Sequence, residues 1–189
     1  MTEKRLKVAA SRLFFALWPD DPLRESLRHS TRKAIRASGG RPVPPHNLHV
    51  TLAFLGSVAD ADRAGVAAAA VKVREPAFKF TLGELQVWPR AKTLVLAPGT
   101  ASAELARLYS QLWDGLEETG FAREARPFRP HVTLARKVAT PGKMTLAAPI
   151  EWRADAFALV RSITDPAGAQ YKVIRRWALQ GESPRGPGR

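Results

Sequence analysis

The tetrapeptide His-Val-Thr-Leu occurs twice in this chain, as His49-Val50-Thr51-Leu52 and as His131-Val132-Thr133-Leu134, 82 residues apart (131 − 49). Each copy follows a basic, proline-bounded loop. Arg41-Pro42-Val43-Pro44-Pro45 precedes the first and Arg126-Pro127-Phe128-Arg129-Pro130 the second. Each also begins a short apolar run of strand length. Repetition of loop and strand together implies two lobes of like design. Side chains on a strand alternate between faces, so His and Thr at i and i+2 share one face while Val and Leu share the other. Val50, Leu52 and Phe54 are therefore expected on a core, as are Val132 and Leu134, leaving His49, Thr51, His131 and Thr133 to look into a cleft.

The segments around the repeat fill in the architecture. Residues 12–18, 48–54, 78–88, 93–97, 131–135, 154–163 and 171–179 read as strands, with Gly56 closing the second. Asp20 and Pro22 open a helix that runs to about residue 37 and ends at Gly39-Gly40. An alanine-rich stretch over 60–73 reads as a second helix. Ser102 caps a third, with Leu105, Leu108, Leu112 and Leu116 at core spacing and Gly120 at its end. Hairpins are expected at Pro89 and across Asp165-Pro166-Ala167-Gly168. Short connections of this kind favour an α+β fold with mostly antiparallel sheet over a parallel doubly wound one. The chain reads as a single bilobal domain over 1–181 with a flexible, Pro-, Gly- and Arg-rich tail over 182–189.

Composition narrows the chemistry. The 189 residues carry 30 Lys and Arg against 17 Asp and Glu, a net charge of +13 spread along the chain, and 21 of the 30 cations are Arg. That balance suits a folded protein with an anionic partner, phosphate first among them. With no cysteine, disulfides, thiolate metal sites and cysteine nucleophiles drop out. No apolar run is long enough to span a membrane, no signal peptide is evident, and the cytoplasm is the expected compartment. No Gly-x-Gly-x-x-Gly or Walker-type loop supports nucleoside triphosphate chemistry.

Histidine titrates near neutrality, so of two imidazoles facing one phosphate, a neutral ring can take a proton from water while a protonated ring delivers one to a leaving oxygen. Thr51 and Thr133 add hydroxyl donors for the phosphate oxygens, and arginines add charge stabilisation. The competing readings are a structural role for either histidine alone, or a metal site. Two histidines without an Asp, Glu or Cys in register make a poor metal set, and no metal or cofactor is expected. Of the other histidines, His29 falls on the first helix facing solvent and His46 shapes the loop before the first motif.

The paired His-x-Thr motifs resemble those of the two-histidine phosphoesterases. So do the opening run 12–17, the stretch Asn47 to Gly56, the segment Phe128 to Arg136 and the late Leu159-Val160-Arg161-Ser162. The nearest branch is the RNA 2',3'-cyclic phosphodiesterases, also called 2'-5' RNA ligases, and the likeness runs from about Arg12 to Leu179. The resemblance implies a bilobal α+β fold in which two mostly antiparallel sheets line a central cleft, with helices outside. It also implies metal-independent opening of RNA 2',3'-cyclic phosphate ends to 2'-phosphates, tRNA fragments being plausible substrates. The reverse reaction would join RNA through a 2'-5' linkage without ATP. By motif position it makes His49 the proton donor and His131 the proton acceptor; the near-symmetry of the two motifs does not itself distinguish them. Thr51, Thr133 and Arg136 would hold the phosphate, although strict alternation puts Arg136 on the face opposite His131. Phe14, Phe54 and Tyr171 are candidates for stacking a base, and Arg126 and Arg129 for steering the RNA backbone. The protein is expected to act as a monomer, away from membranes. A non-catalytic RNA-end-binding module and a phosphodiesterase for a small substrate such as ADP-ribose cyclic phosphate stand as alternatives.

Overall fold

A computed structural model describes residues 10–100, 102–139, 144–165 and 168–179; the proposed tail over 182–189 lies outside them. In chain order the elements are β1 (Ala10–Leu17), α1 (Asp21–Ala37), β2 (Arg41–Pro42), β3 (Val50–Ala59), α2 (Arg63–Val71), β4 (Phe78–Trp88), β5 (Thr93–Pro98), α3 (Ala103–Glu117), β6 (Val132–Arg136), β7 (Ile150–Ala154), β8 (Ala156–Asp165) and β9 (Gly168–Ala178). The helix signals act as expected. Asp20 accepts the Leu23 N–H at 2.9 Å to start α1, and the Ser102 hydroxyl accepts the Leu105 N–H at 3.1 Å to start α3. The chain leaves these helices through Gly39 and Gly120, both at positive φ.

All strand pairs are antiparallel, in the order β7-β4-β5-β6-β3-β1-β8-β9, with β2 added along β6. The order divides into two halves of the same plan. In one, β1 and β3 pair across α1; in the other, β5 and β6 pair across α3. The halves meet edge to edge at β3 and β6 through one residue pair, Val50 opposite Val132. The two expected sheets are thus joined at a seam formed by the middle of the repeated motif.

The motif strands share a second feature that alternation alone misses. In β3, Thr51 pairs with Ala16 and Ala53 with Phe15, so Leu52 is an extra, bulged residue. In β6, Thr133 pairs with Val95 and Ala135 with Leu94, so Leu134 is bulged in the same place. A bulge puts two successive side chains on one face and reverses the phase beyond it. Leu52 and Ala53 are both buried, as are Leu134 and Ala135, and the next residue turns outward in each copy. Phe54, expected on the core, is therefore 39% exposed. The same phase change carries Arg136 to the face that strict alternation denied it. Farther along, Gly56 does not end β3: at positive φ it passes a further bulge, with Leu55 left between the pairs Phe14–Phe54 and Leu13–Gly56. Two short strands, β2 and β7, escape the sequence reading, the first lying inside the proline-rich loop. The second helix is shorter than expected, entered through a 3-10 turn over Asp60–Asp62.

One apolar core ties the helices to both halves of the sheet. Leu27 and Ala34 of α1, Val66 and Ala69 of α2, and Leu108 and Leu112 of α3 join Phe15, Val50, Val132 and Leu134 in it. A small second cluster covers the opposite face of β1 and β8, where Phe14, Ala16, Ala158 and Val160 pack with Trp18 and Tyr171. β1 is therefore buried on both faces, and its second face forms a wall of the site.

Gly40 tests the tight fit of β2 against β6. A Cβ there would lie 2.8 Å from Val138 Cγ2 and 2.9 Å from the Arg136 carbonyl oxygen, closer than carbon atoms tolerate. Gly40→Ala is expected to destabilise the protein by about 1–3 kcal/mol, read as a lower urea midpoint at unchanged slope. A wild-type midpoint would show that β2 is not fixed against β6.

Candidate active site

The seam fixes the site. Because Val50 and Val132 pair antiparallel, the residue before each valine lies alongside the residue after the other. His49 is thereby set beside Thr133, and His131 beside Thr51. All four side chains line one cleft of about 480 Å³, joined by Arg136, Phe14, Phe54 and Tyr171. A smaller recess opens from it on the side of His49, Thr133 and Arg136. A larger groove opens on the side of His131 and Thr51.

The two imidazoles are held by the same device. The His49 Nδ1–H donates to the carbonyl oxygen of Asn47 at 2.7 Å, and the His131 Nδ1–H donates to the carbonyl oxygen of Arg129 at 2.7 Å. Each acceptor is two residues back, on the loop that delivers the strand. A backbone acceptor at Nδ1 fixes the neutral tautomer and leaves the Nε2 lone pair for the cleft. At His49 that lone pair accepts the Thr51 hydroxyl at 3.1 Å.

Their surroundings differ. His49 sits among three aromatic rings: Trp18 stacks on it with centroids 5.5 Å apart and planes 13° from parallel, Phe14 lies at 5.0 Å and Tyr171 at 5.3 Å edge-on. This burial lowers the His49 pKa to about 4, with the Asn47 carbonyl opposing the shift and the positive charges of His131 and Arg136 adding to it. His131 meets one ring, Trp88, at 4.3 Å. Its pKa is also lowered, first by burial and then by Arg136 and Arg129, against the pull of the Arg129 carbonyl. Both rings are thus neutral at pH 7 while the cleft holds no anion.

Arg136 reaches the cleft by way of the Leu134 bulge and acts on both histidines through its charge. Phe54 borders the cleft with the Arg12 guanidinium 4.9 Å above its ring. Phe14 is buried at 3% exposure, so it is part of the wall behind His49 rather than an open stacking face. Tyr171 is half-buried against the same imidazole. Arg129 lies over Trp88 at 5.6 Å, and Arg126 lines the groove beyond it. His29 is exposed on α1, and His46 lies on the rim of the recess beside His49. Among the described residues, no group of three or more His, Asp and Glu side chains is placed to hold a metal ion, and no helix is long and apolar enough to cross a membrane.

Sequence reasoning missed Trp18, Trp88, Asn47 and Arg12. The tryptophans carried a usable signal: Trp-Pro occurs only at Trp18-Pro19 and Trp88-Pro89, and each proline stops a strand so that the indole stands at its end against one histidine. Asn47 is buried, and its Nδ2 donates to the Ala169 carbonyl at 2.8 Å, tying the start of β9 to the loop that holds His49.

Residues 19–166 match the 2'-5' RNA ligase superfamily. The chain belongs to that superfamily. A Thermus thermophilus relative named RNA 2',3'-cyclic phosphodiesterase is 34% identical over 94% of this chain and 96% of its own length. An Escherichia coli relative of the same name is 32% identical over 89% and 96%. Among solved structures, Escherichia coli LigT in complex with 3'-AMP superposes with a TM-score of 0.83 at 30% identity, covering 90% of this chain and 99% of that one. The superfamily's antiparallel α+β fold is therefore the fold of this chain.

The depressed histidine pKa values set the direction of the acid response. Unfolded histidine takes up a proton near pH 6.5, whereas folded His49 resists until about pH 4. The stability this contributes is present above about pH 6.5 and is lost as pH falls through that window, because the unfolded state binds more protons there. Imidazole NMR should show His49 as the Nδ1–H tautomer titrating near pH 4. Urea unfolding between pH 7 and pH 4 should be less pH-dependent in His49→Gln than in wild type. A His49 titration near 6.5 would contradict the buried setting.

Proposed function

We propose that this protein is an RNA 2',3'-cyclic phosphodiesterase of the cytoplasm that opens cyclic phosphate ends, tRNA fragments among them, to 2'-phosphates. The observation that carries the proposal is the seam: one valine pair brings two imidazoles of the same tautomer and two threonine hydroxyls around a cleft sized for a nucleotide end. The names of the relatives support the same reaction.

The reaction needs two proton transfers on opposite sides of phosphorus. His131, kept neutral by burial and by its arginine neighbours, takes a proton from water at Nε2 as the water oxygen bonds to phosphorus. His49, protonated at Nε2, passes its proton to the departing 3' oxygen, and the phosphate stays on the 2' oxygen. His49 is neutral in the empty cleft, so it must gain its proton as the anion binds. The phosphate charge supplies that drive, and the aromatic faces of Trp18 and Phe14 stabilise the cation once formed. Protonation also reverses the hydrogen bond with Thr51. The hydroxyl no longer donates to Nε2 and can turn its hydrogen to a non-bridging oxygen. Thr133 provides the matching donor, and Arg136 offsets charge that builds on the phosphate. Since both protons move through imidazoles, the scheme requires no divalent ion.

His49→Ala and His131→Ala should each lower kcat by about 10² to 10⁴ on RNA ending in a 2',3'-cyclic phosphate, with urea unfolding still cooperative. Wild-type activity should persist in EDTA and give a 2'-phosphate. A near wild-type rate in either variant, loss of activity in EDTA that metal restores, or a 3'-phosphate product would each refute the assignment.

The pH profile is a separate check. A base whose pKa lies below 6.5 and an acid near 4 in the free protein give a bell-shaped kcat/KM with its maximum on the acid side of neutrality. The kcat profile should lie at higher pH, because bound phosphate raises His49. A profile with a single limb would argue against an acid–base pair.

A further inference from the structure

We infer that the recess beside His49 is a second phosphate site, which binds the phosphodiester on the 5' side of the terminal nucleotide and so sets a preference for RNA ends over free cyclic mononucleotides. The inference rests on the reaction proposed above and extends its substrate by one backbone linkage. The 3' oxygen that His49 protonates stays with the RNA, so the terminal nucleoside lies on the His49 side of the cleft. The next phosphate of the chain is one ribose farther on.

The walls of the recess suit an anion. It holds about 300 Å³ beside His49, Thr133 and Arg136, far more than the roughly 30 Å³ of a water molecule. Arg41, His46, Arg136 and Lys137 line it and, among the described residues, no carboxylate does. Two of these cations are forced together, since Arg41 of β2 pairs directly opposite Arg136 of β6. Like charges directly opposite in an antiparallel ladder repel each other. Main-chain contacts hold them there all the same: the Val43 N–H donates to the Leu134 carbonyl oxygen at 2.8 Å, and Gly40 lies close against Val138 and the Arg136 carbonyl. Lys137 follows with a φ of 58°, a left-handed conformation that residues with a Cβ rarely adopt. Among the described residues no ion pair includes Arg136 or Lys137.

An anion between Arg41 and Arg136 replaces that repulsion with attraction to both, and the planar guanidinium fork matches the spacing of phosphate oxygens. Arg136 then stands between two phosphates, facing the reacting one in the cleft and the next one in the recess. A phosphodiester suits these walls better than a base does. The benzene-type ring among the described lining residues is Tyr171, which already packs edge-on against His49 and Phe14. A cyclic mononucleotide with a free 5'-hydroxyl leaves the recess without its anion, whereas an RNA end supplies it.

The test measures kcat/KM of the full-length protein on three substrates. They are cytidine 2',3'-cyclic phosphate, a dinucleotide with adenosine joined to its 5' side by a phosphodiester, and the same dinucleotide with an uncharged methylphosphonate at that linkage. The charged dinucleotide should react about tenfold or more faster than the methylphosphonate, the difference expected for one charge-assisted hydrogen bond. Arg41→Gln and, separately, Lys137→Gln should lower kcat/KM on the charged dinucleotide by a similar factor. Both variants should stay within about twofold (0.4 kcal/mol or less) of wild type on the other two substrates, which also reports that they are folded. Equal rates on the charged and uncharged dinucleotides would overturn the phosphate site, even if both outrun the mononucleotide, because the added nucleoside would then carry the preference. A preference for charge that survives in both variants would put the phosphate elsewhere and also overturn it. So would an equal fall of both variants on all three substrates, which would make Arg41 and Lys137 structural; in each of these cases the phosphodiesterase reading stands. Absence of hydrolysis of every substrate by the wild type would refute that reading and, with it, the second site.

Discussion

The hydrogen-bonded pair between Val50 and Val132 determines where everything else in the cleft can be. It is the only residue pair between β3 and β6, and each valine is also paired on its other side, with Leu17 and with Leu96. Both valines are fully buried, so neither strand can slide without moving an entire set of apolar side chains out of the core. A slip of one residue would turn a His-x-Thr pair toward the core and a Val-x-Leu pair toward water. The cost of that exchange, rather than any direct contact between the imidazoles, holds the two histidines to one cleft. The repeated Leu bulge then decides which side chain borders the cleft beyond each threonine, a phenylalanine in one half and an arginine in the other.

The same burial that secures the register works against a charged histidine. His49 is enclosed by Trp18, Phe14 and Tyr171, and its proton affinity falls accordingly. An acid that is unprotonated at rest looks unsuited to its proposed task. Yet the cleft is bordered by cations, and among the described residues none of the ion pairs involves Arg12, Arg126, Arg129 or Arg136. An anion entering that field offsets the repulsion that Arg136 exerts on a protonated His49. In the proposed chemistry, phosphate and proton therefore bind together, and the acid is formed only when there is an oxygen to receive its proton.

Much of this was legible in the residues because it depends on local chemistry. Asp20 and Ser102 cap helices wherever a helix comes next, and His-Val-Thr-Leu divides its side chains between two faces in any strand. The features that escaped depend on partners distant in the chain. The bulges at Leu52 and Leu134 arise in pairing with β1 and β5, so alternation misplaced Phe54 and left Arg136 on the wrong face. β2 is two residues of a proline-rich loop that count as strand only because β6 lies beside them. Phe14 reads as a possible stacking face, but the β1–β8 pairing and the cluster beneath Trp18 bury it. Trp18 and Trp88 were visible as a repeated Trp-Pro, a pattern whose meaning appears only when each indole meets its histidine.

A near-symmetric scaffold must still perform an asymmetric reaction, and the asymmetry enters through the different surroundings that each half adds to an identical motif. Both halves fix Nδ1 with a carbonyl two residues back, so the tautomer cannot separate acid from base. The half bearing His49 adds aromatic faces and a smaller recess, a setting that favours a neutral ring and, in the proposed chemistry, stabilises the cation over Trp18 once an anion arrives. The half bearing His131 adds guanidinium groups and an open groove, a setting that keeps the ring neutral and gives a nucleophile room to approach. An acid needs its proton delivered with the substrate, and a base needs access to the group it deprotonates. In the proposed reaction, the division of roles comes from those two requirements and from the different walls that the two halves build.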